Sequence, residues 1–290
     1  MKVILVTGGS GFLGRHLIQR LLDKYPDSEV RTISRSENAI QRLRIECSSE
    51  RLIPIVGDIR DIDSLKYAIR DADTVVHLAA MKHIDLCETH AVEAITINVI
   101  GTKNLLDLFN GTTFIGMSTD KSVEATTCYG ATKLLLEKMI LERAKKEEDR
   151  RYIVIRAGNI FGSSGSVIEK WQREINKRNE INITNSEMTR FFINVKNLVD
   201  FMIEILEDGK SGNIYIPYQK TIMLSDLAKA TINLYGNETT KLKRSGARAG
   251  EKLHELLFTE GERVLSSLES SNSLNSPRLS SEEIREWLME

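Results

Sequence analysis

Six short apolar runs rich in β-branched residues, at 2–7, 30–34, 52–56, 74–79, 113–117 and 152–156, alternate with longer stretches whose apolar residues recur at helical spacing, at 13–24, 62–70, 91–109 and 131–145. Few architectures accept such an alternation. It predicts a parallel sheet covered by helices on both faces, a doubly wound α/β arrangement with ligands at the carboxyl ends of the strands. After about residue 158 the pattern loosens, and shorter strands at 181–184 and 213–217 interleave with helices at 195–207 and 224–234. The chain is therefore expected to divide into a first domain, 1–158, and a smaller α+β region, 159–290, with 195–220 lending part of the first sheet. A Ser/Asn-rich stretch at 266–276 reads as a loop, and 280–289 as a short capped helix.

The run Thr7-Gly8-Gly9-Ser10-Gly11-Phe12-Leu13-Gly14 follows the first strand and opens the first helix. In that context a glycine pattern becomes a Rossmann-type dinucleotide site. Gly8 and Gly11 let the backbone turn and approach a pyrophosphate, Gly14 permits close packing of helix on strand, and the helix N-terminus offers its amides to the anion. An NAD site of this type places a carboxylate at the end of the second strand, about 20 residues on. Here that strand ends in Ser34 and Arg35, a hydroxyl and a guanidinium suited to a 2′-phosphate. NADP is the expected cofactor, and NAD the alternative because Glu37 stands nearby. Asp58, after the third strand, is placed either to reach the adenine or to order the Gly57-Asp58 turn.

Ser118-Thr119-Asp120-Lys121 and Tyr129-Gly130-Ala131-Thr132-Lys133 gather a hydroxyl, a carboxylate, two amines and a phenol after the fifth strand. On a helix, Tyr129 and Lys133 stand one turn apart on one face, so the ammonium is expected to lower the phenol pKa and make Tyr129 a base near neutral pH. Further on, strand alternation puts Arg190 on the same face as Met188 and Phe192, a setting that suits a guanidinium when an anion such as a nucleoside diphosphate meets it. Lys82 and His83, past the fourth strand, and Asn159, past the sixth, lie at the same edge of the sheet.

Charge and cysteine usage narrow the partners. The 290 residues carry a net charge of -1 with both signs interspersed, which leaves no footprint for nucleic acid or an anionic membrane. Cys47, Cys87 and Cys128 show neither disulfide nor metal-ligand spacing, so a reducing compartment and no metal are expected. No apolar run approaches the roughly 18 residues of a membrane span, and Met1-Lys2-Val3 leads straight into a strand, so the expected location is cytoplasmic.

With the glycine turn, the Thr119 hydroxyl and the Tyr129/Lys133 pair, the chain resembles the extended short-chain dehydrogenase/reductases over nearly its whole length. Within that superfamily it is most similar to the inverting UDP-N-acetylglucosamine 4,6-dehydratases of polysaccharide biosynthesis. The stretches that carry the likeness are Ala79-Ala80-Met81-Lys82-His83, Ser118 to Lys121, Tyr129 to Lys133, Gly158-Asn159-Ile160-Phe161-Gly162-Ser163, Met188-Thr189-Arg190-Phe191 and Gly250-Glu251-Lys252-Leu253-His254-Glu255. Ala249 replaces a usual Pro, and 124–128 lacks the usual Pro and Asn.

The resemblance implies that Tyr129, aided by Lys133, takes the sugar O4 proton while hydride leaves C4, with Thr119 on that oxygen. Lys121 then takes the C5 proton and Asp120 protonates the departing C6 hydroxyl, or the two exchange roles, with or without inversion at C5. It further implies cofactor contacts from Gly8, Ser10, Gly11, Phe12, Leu13, Gly14, Ser34, Arg35, Asp58, Ile59, Ala79, Ala80, Lys82, Asn98, Tyr129 and Lys133. Substrate contacts are implied for Lys82, His83, Asn159, Ser166, Arg190, Arg248 and Glu251, with Arg248 as a second phosphate contact. The partners would be a UDP-sugar and a second copy of the chain, paired through 91–109 and 131–145. A UDP-sugar 4-epimerase and a catalytically silent dinucleotide-binding sensor or scaffold are the competing readings.

Overall fold

The computed structural model describes residues 2–163, 165–246, 250–266, 268 and 270–289. Strand β1 (Val3–Thr7) leads into α1 (Phe12–Lys24), followed by β2 (Glu29–Ser34), α2 (Glu37–Cys47), β3 (Leu52–Val56), α3 (Ile62–Ile69) and β4 (Thr74–His77). Three helical pieces come next, α4 (Ile84–Thr89), α5 (Ala91–Ile95) and α6 (Gly101–Leu108). Then follow β5 (Thr113–Thr119), a 3-10 turn (Asp120–Ser122), α7 (Cys128–Lys146), β6 (Arg151–Ala157) and β7 (Asn159–Ile160). The remainder supplies α8 (Val167–Arg178), β8 (Glu180–Ile183), β9 (Thr189–Ile193), α9 (Val195–Asp208), β10 (Ile214–Ile216), β11 (Lys220–Met223), α10 (Leu224–Tyr235), β12 (Lys241–Arg244), β13 (Val264–Ser266) and α11 (Ser281–Met289).

Eight strands form one parallel sheet in the order β13-β10-β6-β5-β4-β1-β2-β3. The winding reverses between β1 and β4, so the loops after these two strands diverge and leave a crevice at the carboxyl edge. One face of the sheet buries Leu5, Phe114, Leu136 and Val154, and the other buries Ile4, Val6, Leu17 and Leu198. Each such side chain stabilises the fold by about 1.5–3 kcal/mol, which explains why both sides of the strands read as apolar in sequence. The segment expected as a strand at 213–217 joins this sheet beside β6, because Ile214 and Ile216 add to its apolar layer.

Beside the sheet, β7, β9 and β11 form a three-stranded sheet and β8 pairs with β12. Their core gathers Phe161, Trp171, Phe192 and Trp287, the last lying edge-on to Phe161 with ring centroids 5.2 Å apart. Helix α11 starts with reciprocal capping: the Ser280 N–H donates to the Glu283 carboxylate at 2.9 Å, and the Glu283 N–H donates to Ser280 Oγ at 3.2 Å. No helix of the described residues is long and apolar enough to cross a membrane.

The helix expected over 91–109 is interrupted by a π turn, Thr96–Ile100, between α5 and α6. That turn aims Asn98 inward. Its side chain accepts from the Met81 N–H at 2.7 Å and donates to the Met81 carbonyl and Thr132 Oγ1, both at 2.9 Å.

His77, at the carboxyl end of β4, is fully buried between two hydroxyls, with Nδ1 2.7 Å from Thr7 Oγ1 and Nε2 2.9 Å from Thr102 Oγ1. Burial, helped by the nearby Lys133 ammonium, depresses its pKa from 6.5 to about 3. The folded state thus holds this imidazole neutral while the unfolded state protonates it below pH 6.5. Stability from this residue is complete above that pH and is lost, at about 1.4 kcal/mol per pH unit, as the pH falls toward 3. Denaturant melts of the wild type and His77→Asn at mildly acid pH check this. The variant should lack that part of the slope, and equal slopes would contradict it.

Candidate active site

The turn after β1 is built as a cradle for an anion. Gly8 sits at φ 69°, where a side chain is strained, and a Cβ there would come within 2.9 Å of the Ala79 backbone. A Cβ on Gly14 would lie 2.5 Å from Gly9 Cα, so only glycine lets α1 press against the turn. Gly11 precedes α1 with no side-chain cap, and a Cβ there would meet only the Gly8 carbonyl. The first amides of α1 therefore face open space with the helix dipole behind them, which fits a dinucleotide pyrophosphate. Ser10 and Ser34 hydroxyls touch at 2.6 Å beside Arg35, and Asp58 is paired with Arg60 at 2.7 Å.

The second part of the site forms where α7 meets the end of β5. Gly130 makes the approach possible, since a Cβ on it would sit 2.1 Å from the Lys121 carbonyl oxygen. Thr127 caps α7 by accepting from the Gly130 N–H at 3.2 Å. Tyr129 and Lys133 thereby face the turn that holds Thr119, Asp120 and Lys121. Asp120 Oδ1 accepts from Thr119 Oγ1 at 2.8 Å and from Lys121 Nζ at 2.9 Å. Its Oδ2 is buried and has no hydrogen-bond partner among the described residues.

Below this cluster lies a fully buried ion pair. Arg156, on β6, donates through Nε to Glu137 Oε1 at 2.9 Å and through Nη2 to Glu137 Oε2 at 2.7 Å, with both side chains 1% exposed. Glu262 and the Leu257 carbonyl take the other guanidinium hydrogens. Ser118 and Ser122 donate to Glu137 Oε1 at 2.5 and 2.8 Å. These bonds clamp both ends of the Thr119–Lys121 turn, and a pair so completely hydrogen-bonded recovers its desolvation cost.

Charge within the cluster departs from the sequence expectation. Burial raises the Tyr129 phenol far above its ordinary range and the Asp120 carboxylate adds to the rise, while a hydrogen bond with Thr119 opposes it. Lys133 does not offset that rise in the free chain, and burial pulls its own ammonium down to about 8. Burial also works against the Lys121 ammonium, but the carboxylates of Asp120 and Glu255 outweigh it and raise the pKa above the ordinary value. The free chain thus holds Tyr129 as a phenol and Lys121 as a cation.

One cavity of about 740 Å³ joins the two parts, within the range of ligand sites. The glycine turn with Phe12 and Leu13, then Ser34, Arg35, Asp58 and Ile59, line one arm, and Ala79, Ala80 and Lys82 the middle. Thr119, Lys121, Tyr129 and Lys133 stand at the bend, with His83, Asn159, Ser166, Arg190 and Glu251 beyond it. Two expected contacts are not in the wall. Asn98 is buried, its amide spent on Met81 and Thr132, so it shapes the turn before Lys82. Asp120 is fully buried behind Thr119 and Lys121. Arg248 lies outside the described residues.

Other wall residues have internal partners as well. Ser166 caps α8, and Asn159 donates to the Phe191 carbonyl at 3.0 Å. Arg190 donates to the Thr189 and Lys252 carbonyls at 2.8 and 2.9 Å and lies 3.6 Å from Glu255 Oε1. His83 stands against Gly165. Burial pulls the Lys82 ammonium down, with Glu169 opposing. Sequence reasoning missed the far wall, including Trp171, Asn182 and Thr184, which carries no chemical motif.

Residues 4–274 match the model of the family described as polysaccharide biosynthesis protein. The chain belongs to that family. Among relatives of this family member, an uncharacterized membrane protein of Methanocaldococcus jannaschii is 36% identical over 272 residues, 90% of this chain and 81% of its own. The UDP-glucose 4-epimerase of Rickettsia bellii is 31% identical, covering 99% of this chain and 95% of its own. Pen from Bacillus thuringiensis superposes with a TM-score of 0.90 at 28% identity, over 99% of this chain and 97% of that one. DesIV, a dTDP-glucose 4,6-dehydratase from Streptomyces venezuelae solved with NAD and TYD bound, shares the fold at a TM-score of 0.78 and 23% identity, over 87% and 86% of the two chains.

Proposed function

We propose that this family member is a nucleotide-sugar 4,6-dehydratase acting on a UDP-sugar, first of all UDP-N-acetylglucosamine, through transient oxidation at C4. The observation that carries the reading is the Lys121–Asp120 pair, 2.9 Å apart, whose Lys121 lines the cavity beside Thr119 while Asp120 is buried behind it. Interconverting C4 epimers requires a base, an orienting hydroxyl and a hydride acceptor; an acid and base pair beyond Tyr129 is needed only when water leaves C5 and C6.

A nicotinamide dinucleotide, when bound, would supply the hydride acceptor for C4 and the hydride for C6. The cradle residues Gly8, Ser10, Gly11 and Gly14 would hold its pyrophosphate, and Ser34 with Arg35 its adenosine ribose. No carboxylate ends β2, so we favour NADP, with NAD as the alternative supported by its presence in the DesIV structure. Tyr129 would give up its phenolic proton only when the Lys133 ammonium is joined by the positive charge that an oxidised nicotinamide would bring beside it. Thr119 turns its hydroxyl from Asp120 to the sugar O4. Lys121 faces the cavity and would take the C5 proton, while Asp120, buried behind it, would act as the acid only by relay through the Thr119 hydroxyl that it holds. Arg190, with Arg248 as its expected companion, would meet the diphosphate, and Glu251 the nucleoside ribose.

The second reading is a UDP-sugar 4-epimerase, favoured by the Rickettsia bellii relative. Product analysis on UDP-N-acetylglucosamine separates the two: a 4-keto-6-deoxy sugar supports dehydration, and a C4 epimer retaining its 6-hydroxyl overturns it. Val92, Ile95 and Leu135 are exposed on α5 and α7, which supports a homodimer through these helices.

A further inference from the structure

Glu255 belongs to no role assigned so far, yet it stands against the elimination pair. Its Oε1 lies 3.9 Å from Lys121 Nζ and 3.6 Å from Arg190 Nε, and the residue is only 4% exposed. Its Oε2 is buried without a hydrogen-bond partner among the described residues, as is Oδ2 of Asp120. Two carboxylates flanking one ammonium, each with an orphaned oxygen, form an arrangement in which an added proton is stabilising, because a buried acceptor left bare costs about 1–3 kcal/mol or more.

The Glu255 segment is fixed in place. Thr126 Oγ1 donates to the Gly250 carbonyl at 2.7 Å, Lys252 Nζ donates to the Val123 carbonyl, and the Glu255 N–H donates to Ser273 Oγ at 2.8 Å. The charged groups facing Glu255 are Lys121 and Asp120 from the 3-10 turn, Arg190 from β9 and Lys252 from its own segment. Burial raises the Glu255 carboxyl and Asp120 adds to the rise, against the pull of Lys121. Lys121 faces the opposite difficulty, since a base at C5 must first lose the proton that its neighbours hold on it.

We propose that Glu255 is the positioning residue that relieves this conflict by taking the Lys121 ammonium proton. The inference rests on the dehydratase reading. Once the 3.9 Å gap between Lys121 Nζ and Glu255 Oε1 closes to hydrogen-bond length, proton transfer from Lys121 to Glu255 converts an ion pair into a neutral amine and a neutral carboxyl. The amine lone pair takes the C5 proton, the C5–H electrons form the C5–C6 double bond, and the C6–O bond breaks. The hydroxyl leaves as water with one proton relayed from the Glu255–Asp120 pair through Thr119 Oγ1, which bonds Asp120 and lines the cavity, so the cluster ends with as many protons as it began.

The test measures solvent deuterium incorporation at C5 of UDP-N-acetylglucosamine by NMR over a pH series, for full-length wild type, Glu255→Gln and Glu255→Asp. Exchange by the wild type should vary little near neutral pH. Glu255→Gln should exchange about 10²-fold more slowly at neutral pH and recover as the pH rises, because Lys121 must then release its proton to solvent. Glu255→Asp should restore much of the neutral rate. Exchange by Glu255→Gln that matches the wild type, or is lowered equally at every pH, would overturn the role of Glu255. A wild type that converts the sugar without any deuterium at C5 would instead overturn the dehydratase reading beneath it.

Discussion

Replacing Tyr129 with Phe is expected to lower turnover by about 10²–10⁴-fold while leaving binding of the nucleotide sugar nearly unchanged. The substitution removes one oxygen from a side chain that Gly130 and the Thr127 cap hold on rigid α7. It also removes a phenol that burial and Asp120 have pushed up, so a hydroxyl whose proton is hard to release is replaced by nothing polar. The fold should tolerate this, since no buried acceptor depends on that hydroxyl alone: Thr119 keeps its bond to Asp120. Turnover assays with calorimetric titration of the sugar nucleotide make the check. Undiminished turnover would show that Tyr129 is not the base at O4, whereas a wild type that binds the dinucleotide without any turnover would return the cluster to the silent-sensor reading.

Replacing Lys121 with Met is expected to abolish water elimination, by about 10²–10⁴-fold, and to spare the first half of the reaction. Methionine matches the length of the stem but cannot take a proton. Its cost is electrostatic: Asp120 and Glu255 lose the cation between them, and one should protonate in compensation. Single-turnover reduction of bound dinucleotide by the sugar should persist in this variant, while 4-keto-6-deoxy product should not form. Loss of both steps together would mean that Lys121 supports oxidation or folding, and the separation of roles between Tyr129 and Lys121 would be wrong.

Much of the fold was legible because parallel strands must be apolar on both faces. The runs 2–7, 74–79 and 113–117 read as strands with no help from their partners, and strands form there at Val3–Thr7, Thr74–His77 and Thr113–Thr119. Strand Ile214–Ile216 falls within the run 213–217 expected as a strand and the stretch 195–220 expected to lend part of the sheet, but its pairing with β6 rests on apolar contacts that local pattern does not reveal. The π turn at Thr96–Ile100 was invisible, since it answers to the demand of one buried amide, Asn98, for the Met81 backbone.

Within the site, the glycine turn and the Tyr129/Lys133 spacing announce themselves because their chemistry is local in sequence. Glu255 and the Glu137–Arg156 pair do not. Glu255 reaches Lys121 across 134 residues, and Glu137 reaches Ser122 and Ser118 across 15 and 19, by the bonds and ion pairs described above, and a lone glutamate gives no sign of which cation it will meet. Protonation was also beyond the sequence. The Tyr129 and Lys121 pKa values depend on burial and on Asp120 more than on the residue four positions along the helix.

The most direct test of the dehydratase reading is the product formed from UDP-N-acetylglucosamine in deuterated water, analysed by mass spectrometry and NMR. The expected product has lost water, carries a methyl group at C6 and a keto group at C4, and bears deuterium at C5, whose configuration also reports inversion. A C4 epimer with its 6-hydroxyl intact and no deuterium at C5 would contradict the central claim.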